Sequence, residues 1–265
     1  MKLVFSEAGA DYARYLYPYV IWAVPEAGET PADLFAAGFL PGVPTLERFY
    51  LCRHLRVPLA GFEPNSENRR ILRRGGNVVF RLIPRVAFEY TEERRSRWLA
   101  FAEERFGAGV MPGERLDKLM RSPVISDLLV FTEAATQREL GVVLLYREAP
   151  RMAFYYYAFY DLAGRDRNLG MFLMTQAVQW FAEQGLGHLY LGTCYSERAL
   201  YKTQFDGVQY FNGWAWSDQL GALKAAVRGE PPGAHRLADP GFLERAGGLP
   251  AITALSGFRG TSPGG

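Results

Sequence analysis

The sequence predicts an α+β protein built on a mixed sheet, and three observations carry that reading. From Asn77 onward, apolar runs of strand length and stretches of helical periodicity follow one another in the order β-α-α-β-β-β-α-β-α-β. Between two apolar strands, 151–160 and 188–193, lies a long amphipathic segment, 169–184. There Leu169, Leu173, Ala177, Trp180 and Phe181 recur at the spacing of one helix face. The 265-residue chain is 49% hydrophobic and 14% aromatic, enough apolar surface to build a substantial core.

Taken in order, residues 1–75 form an N-terminal region that Gly and Pro interrupt repeatedly (Pro25, Gly28, Pro31, Gly38, Pro41, Gly42, Pro44), too often for long elements. Thr30 and Pro31 start a helix that stops at Gly38, because Thr caps the orphan N–H groups and Pro fits the first helical position. Residues 49–59 read as one strand, and 65–74 as a short basic helix. Residues 76–217 form the main domain. It holds a strand at 77–83, a helix capped by Thr91 that runs to about Phe106, and a shorter helix at 114–121. Strands at 127–132, 141–147 and 151–160 are joined by turns short enough for antiparallel pairing. After the helix at 169–184, ended by Gly185 and Gly187, come a strand at 188–193, a short helix at 197–204, and strand material at 208–216. Residues 218–265 read as a helix at 220–228 and a loosely ordered Gly/Pro-rich tail.

A net charge of +2 excludes a global field that recruits nucleic acid. The charge is uneven, however: between Glu67 and Trp98 nine arginines face four glutamates. No apolar run reaches the length of a membrane helix, and the N-terminus lacks the pattern of a signal peptide. Two cysteines, Cys52 and Cys194, without repeated spacing argue against a disulfide framework. A cytoplasmic location without membrane association is the expectation.

Polar groups gather at the turns that follow the strands. The turn 161–170 (DLAGRDRNLG) opens a helix, and a helix N-terminus with Arg165, Arg167 and the amides near Gly170 suits an anion. An ordinary capped connection accounts equally for those residues. Tyr201 can act as a general acid toward a leaving group, or can bury its ring against the sheet. Lys202 is an anion contact or an exposed cation. Asp161, directly after a strand, can orient or deprotonate an attacking amine, although aspartate is also a common turn former. The histidines (His54, His188, His235) show no metal-ligand spacing.

The element order resembles that of the GNAT (N-acetyltransferase) superfamily, whose mixed sheet splays between its fourth and fifth strands to admit an acyl donor. The segment from Arg167 to Phe172 resembles that superfamily's pyrophosphate signature but ends in Phe172 instead of a small residue, which counts against coenzyme A. More narrowly, Tyr157-Ala158-Phe159-Tyr160-Asp161, Leu169-Gly170, Leu189-Tyr190-Leu191-Gly192 and Tyr201-Lys202-Thr203-Gln204-Phe205 resemble the C-terminal domain of the arginyl-tRNA–protein transferases and the related aspartate/glutamate leucyltransferases. Gly38-Phe39, the run from Cys52 to Leu59, Phe62, Pro64, Arg69-Arg70 and Arg73-Arg74 resemble the same family's N-terminal half. Together these pieces span residues 35–210.

This resemblance implies a GNAT-like acyltransferase fold with a small N-terminal extension. Charged tRNA would be the co-substrate, the N-terminal α-amine of acceptor proteins the attacking group, and no resident cofactor would be needed. It assigns catalysis to Tyr201, Asp161 and Lys202, substrate binding to Tyr160, Arg165, Arg167, Gly170, Gly192 and Thr193, and tRNA binding to Arg69, Arg70, Arg73 and Arg74. Two departures stand out. The family's N-terminal cysteine cluster is reduced to Cys52, so no zinc or iron–sulfur centre is expected. The family's Gly-Tyr-Trp-Ile stretch is replaced by Gly192-Thr193-Cys194-Tyr195, and its Lys-Met before the tyrosine by Ala199-Leu200. Three functions are therefore open: transfer of arginine or leucine from charged tRNA, acetyl transfer from acetyl-CoA, and a non-catalytic relative that binds RNA or protein.

Overall fold

The computed structural model describes residues 1–14, 18–162, 168–229 and 235–258. Its centre is an eight-stranded sheet. One wing is antiparallel throughout: β6 (Val78–Pro84), β7 (Asp127–Glu133), β8 (Glu139–Glu148) and β9 (Met152–Tyr160) pair in that order. Next to β9 runs β10 (His188–Thr193), the parallel member. Beyond it come β5 (His54–Pro58), β11 (Gln209–Phe211) and β12 (Trp216–Ser217), all antiparallel to their neighbours. The sheet is therefore mixed, and the fold is GNAT-like as the element order predicts.

Side chains alternate across the strands, so each face of the sheet collects its own cover. On one face α5 (Leu169–Glu183) and α2 (Ser66–Arg74) pack over Leu129, Phe131, Val143, Leu145, Ala153 and Tyr155. On the other, α3 (Glu92–Phe106) and α4 (Gly113–Arg121) cover Leu128, Val130, Val142, Leu144 and Phe159. A second, four-stranded sheet of β1 (Lys2–Glu7), β2 (Tyr19–Val24), β4 (Phe49–Leu51) and β3 (Phe39–Pro41) sits on that same side. With α1 (Pro31–Ala36) it buries Leu34, Phe35, Phe39 and Phe49 against Phe154 and Tyr190.

The capped helices begin where the sequence places them. Thr91 accepts from the Arg94 N–H, Asn65 accepts from the Asn68 N–H at 2.9 Å, and the Asp33 carboxylate accepts from the Thr30 N–H at 2.8 Å.

Four expectations change. The strand read across 49–59 is two strands, because the chain leaves the small sheet at Cys52 and enters the large one at His54. Residues 54–58, assigned to the N-terminal region, are thus an interior strand of the sheet that carries the main domain. The strand material at 208–216 is a hairpin, turned where the Asn212 side chain accepts from the N–H groups of Trp214 and Ala215. The short helix at 197–204 is a 3-10 turn, Glu197–Thr203.

The tail is folded where it is described. After α6 (Leu220–Gly229), α7 (Pro240–Arg245) is capped by Asp239 and α8 (Gly248–Leu255) follows. Phe242 then meets Trp214 edge-on, and Phe258 meets Phe39. Aromatic contacts of this kind hold a Gly/Pro-rich chain that composition alone marks as loose.

Candidate functional site

β9 and β10 stay together for only three residue pairs: Met152 with His188, Ala153 with Leu189, and Phe154 with Tyr190. Beyond that point they part. β10 shifts register against β5 between Tyr190 and Gly192, with Gly192 at φ +80°. β9 shifts against β8, so that Tyr156 is one residue too many opposite Leu144 and Leu145. Each irregularity bends its own strand, and together they open a V between the two strands. Only glycine reaches the Gly192 conformation without strain.

The arms of the V are lined by the predicted residues. From the 3-10 turn, Lys202 reaches back to donate to the Thr193 carbonyl at 3.1 Å. Its Nζ would stand 3.7 Å from a Cβ on Gly192, and the Phe154 ring 3.9 Å from the same point. Burial disfavours the ammonium form, and Cys194 nearby opposes that only partly, so the Lys202 pKa falls to about 8. Tyr201 is half exposed; burial of its hydroxyl, then the neighbouring Tyr160, raises its pKa, so the phenol keeps its proton. The turn itself is anchored twice, by Asn65 donating to the Gln204 carbonyl at 3.0 Å and by the Arg228–Glu197 ion pair at 2.8 Å.

At the other arm, the Tyr160 hydroxyl lies over the start of α5. A Cβ on Gly170 would sit 2.7 Å from that oxygen, so only glycine lets the phenol pack there. A pocket of about 280 Å³ opens at this helix start, lined by Glu104, Arg105, Tyr160, Asp161, Asn168 and Gly170. Asp161 is ion-paired with Arg138 at 2.7 Å. Arg165 and Arg167 lie outside the described residues.

Phe172 does not point at this helix start. Its ring is buried between Phe131 and the end of α2, where a Cβ on Gly75 would stand 2.0 Å from it. Contrary to the sequence expectation, the Phe172 ring fills core and is not itself a steric bar to a coenzyme A phosphate at the helix start.

The α2 arginines Arg69, Arg70, Arg73 and Arg74 are all exposed. Arg70 pairs with Glu67, whereas Arg73 and Arg74 have no carboxylate partner among the described residues. On the opposite side of β10, His54 is fully buried. One ring nitrogen, Nδ1, contacts the Cys52 carbonyl at 3.0 Å, and burial lowers its pKa to about 3. Cys52 Sγ lies 3.6 Å from that nitrogen, and no group of three His, Cys, Asp or Glu gathers among the described residues. This donor set does not fit a structural metal or cluster.

Tyr155 escapes sequence reasoning. It is buried, its hydroxyl has no partner among the described residues, and Tyr160 and Tyr201 both lie near enough to influence it. In a run of five aromatic residues out of six (154–159), nothing in the sequence singles it out.

No family profile matches the chain. Curated relatives do. An aspartate/glutamate leucyltransferase of Xanthomonas euvesicatoria pv. vesicatoria is 27% identical over 187 residues, 62% of this chain and 68% of the relative. Another, from Pseudomonas paraeruginosa, is 28% identical over 170 residues, covering 62% of this chain and 70% of its own length. Among solved structures, L-PGS from Bacillus licheniformis is similar at 15% identity and a TM-score of 0.40, covering 54% of this chain and 46% of that one. A GCN5-related N-acetyltransferase from Sphaerobacter thermophilus is similar at 15% identity and a TM-score of 0.35, covering 72% and 57%. The chain spans about half the length of these two solved structures. No helix among the described residues is long and apolar enough to cross a membrane. Over 62% of its length the chain is similar to the aspartate/glutamate leucyltransferases, which are transferases, and its own strand order is that of a GNAT-like fold.

Proposed function

We propose that this chain transfers leucine from charged tRNA to the α-amine of acceptor proteins that begin with an acidic residue. The observation that carries the reading is the V between β9 and β10, with Lys202 at its apex and Tyr201 and Tyr160 along its arms. Leucine is preferred to arginine on the names of the curated relatives, which also suggest the acidic acceptor.

An aminoacyl ester is already activated, so holding the amine against its carbonyl supplies most of the acceleration. The amine nitrogen forms the new amide bond, and the ester C–O bond breaks with its electron pair going to the terminal ribose oxygen of the tRNA. Neutral Lys202 accepts the proton the amine sheds. Tyr201 donates one to the departing oxygen and recovers it from solvent. Arg69, Arg70, Arg73 and Arg74 contact tRNA phosphates without reading sequence.

The test is transfer of labelled leucine from charged tRNA to a peptide beginning with Asp or Glu. Incorporation well above a no-enzyme control is expected for leucine and not for arginine. Background levels with both donors would sink the reading. Acetyl-CoA is a second donor to check, because the Phe172 ring is buried in the core beside Gly75. Calorimetry at millimolar acetyl-CoA is expected to show no binding heat.

A further inference from the structure

A second pocket, of about 440 Å³, opens on the face of the sheet away from α2 and α5. Its walls are Val43, Pro44, Pro112, Arg115, Lys118 and Tyr156. Arg115 and Lys118 stand one turn apart on α4 and so share a helix side. Arg115 donates to two neutral acceptors, the Val110 carbonyl at 2.9 Å and the Tyr157 hydroxyl at 3.3 Å. Neither cation has a carboxylate partner among the described residues. Glu114 also lines the pocket but pairs with neither among the described residues, and Asp117 of the same helix is taken by Arg95 at 2.9 Å. Two cations that no carboxylate matches, on one side of α4 and both exposed, leave a local positive field over proline and valine walls, and that field favours an anion.

The pocket adjoins the V. Tyr156, the extra residue of the β9 irregularity, turns to this face and lies 5.0 Å from the Phe154 ring, centroid to centroid. Phe154 is in turn the ring beside Gly192 and Lys202. One aromatic side chain therefore separates the Lys202 ammonium from the second pocket, while the α2 arginines sit on the far side of the sheet.

We propose that this pocket seats an acidic side chain of the acceptor peptide, with Arg115 and Lys118 as its charge partners and Tyr156 as a neutral hydroxyl donor. A peptide carboxylate fits better than a tRNA phosphate because the site is concave and walled by apolar residues, and is set apart from the open arginine face. The inference rests on the transferase reading for its context. It divides the labour between the faces of the sheet: the donor enters over α5 and the acceptor over α4.

The experiment measures peptide binding to the full chain by fluorescence anisotropy without tRNA, so a chain that transfers nothing still reports. Labelled peptides identical except for an initial Glu or Gln are titrated into wild type, R115Q/K118Q and K118Q. Wild type is expected to favour Glu at least tenfold. R115Q/K118Q is expected to lose that preference, K118Q to lose part of it, and tRNA affinity to stay unchanged in both. Equal binding of Glu and Gln peptides by wild type would overturn the proposal, as would a preference that survives both substitutions. Loss of tRNA affinity with the peptide preference intact would mark a phosphate site instead and overturn it too. Intact Glu preference with no leucyl transfer would sink the transferase reading alone.

Discussion

Helices α2 and α3 both carry arginine at high density, and the fold treats the two sets differently. On α3 every arginine of the basic segment meets a carboxylate: Arg94 and Arg97 share Glu139, at 2.9 and 3.0 Å, and Arg95 holds Asp117 at 2.9 Å. On α2, among the described residues, only Arg70 has such a partner, Glu67. The nine-to-four excess of arginine over glutamate in the sequence therefore overstates the field of one helix and describes the other well. What separates them is carboxylates delivered from β8 and α4, far away in the chain.

The largest expected effect tests the open set. Replacing Arg69, Arg70, Arg73 and Arg74 together with Glu should cut tRNA affinity at least about 100-fold. It should also flatten the slope of log affinity against log salt by about 3 to 4. Arg94, Arg95 and Arg97 changed together to Gln should leave that slope unaltered; an equal flattening breaks the comparison.

Lys202 sharpens it from another side, being a part-buried cation with no ion pair among the described residues. Lys202→Met is expected to lower kcat about 100-fold with little change in KM. Because the Lys202 pKa lies below its ordinary value, the neutral base grows as pH rises. Wild-type kcat should thus climb through about pH 8 and level off above it, and the variant should show no such inflection.

The smallest effect belongs to the paired set. Glu139→Gln leaves Arg94 and Arg97 without their half-buried partner and should cost about 1 kcal/mol of stability in a urea melt, with tRNA binding unchanged.

Much of this was legible where local chemistry decides structure. The cap at Thr91, the helix start at Thr30-Pro31 and the glycines after α5 set helix ends that the structure reproduces. The α7 start was legible too, in Asp239-Pro240, but the surrounding Gly/Pro composition outweighed it. The switch of sheets at Cys52 and Arg53 has no turn signature, because what breaks the strand is a change of partner and not a local bend. Within the site, Lys202 and Gly192 could be named from the sequence, but their proximity could not. Arg115, Lys118 and Tyr156 carry no motif at all: α4 and β9 bring them together only through the packing of one sheet face.

Helix α2 is fastened at both ends to the two arms of the V. Asn65 at its start holds the Gln204 carbonyl and the Asp206 carboxylate, each at 3.0 Å, beside the turn that carries Tyr201 and Lys202. Gly75 at its finish lies under the Phe172 ring of α5. The arginine face is consequently a strut of fixed length. It measures off the distance from any phosphates it grips to the point where β9 and β10 divide. A methyl group at Gly75 removes no charge and touches no substrate, yet it must push that ring aside and put the gauge out of true.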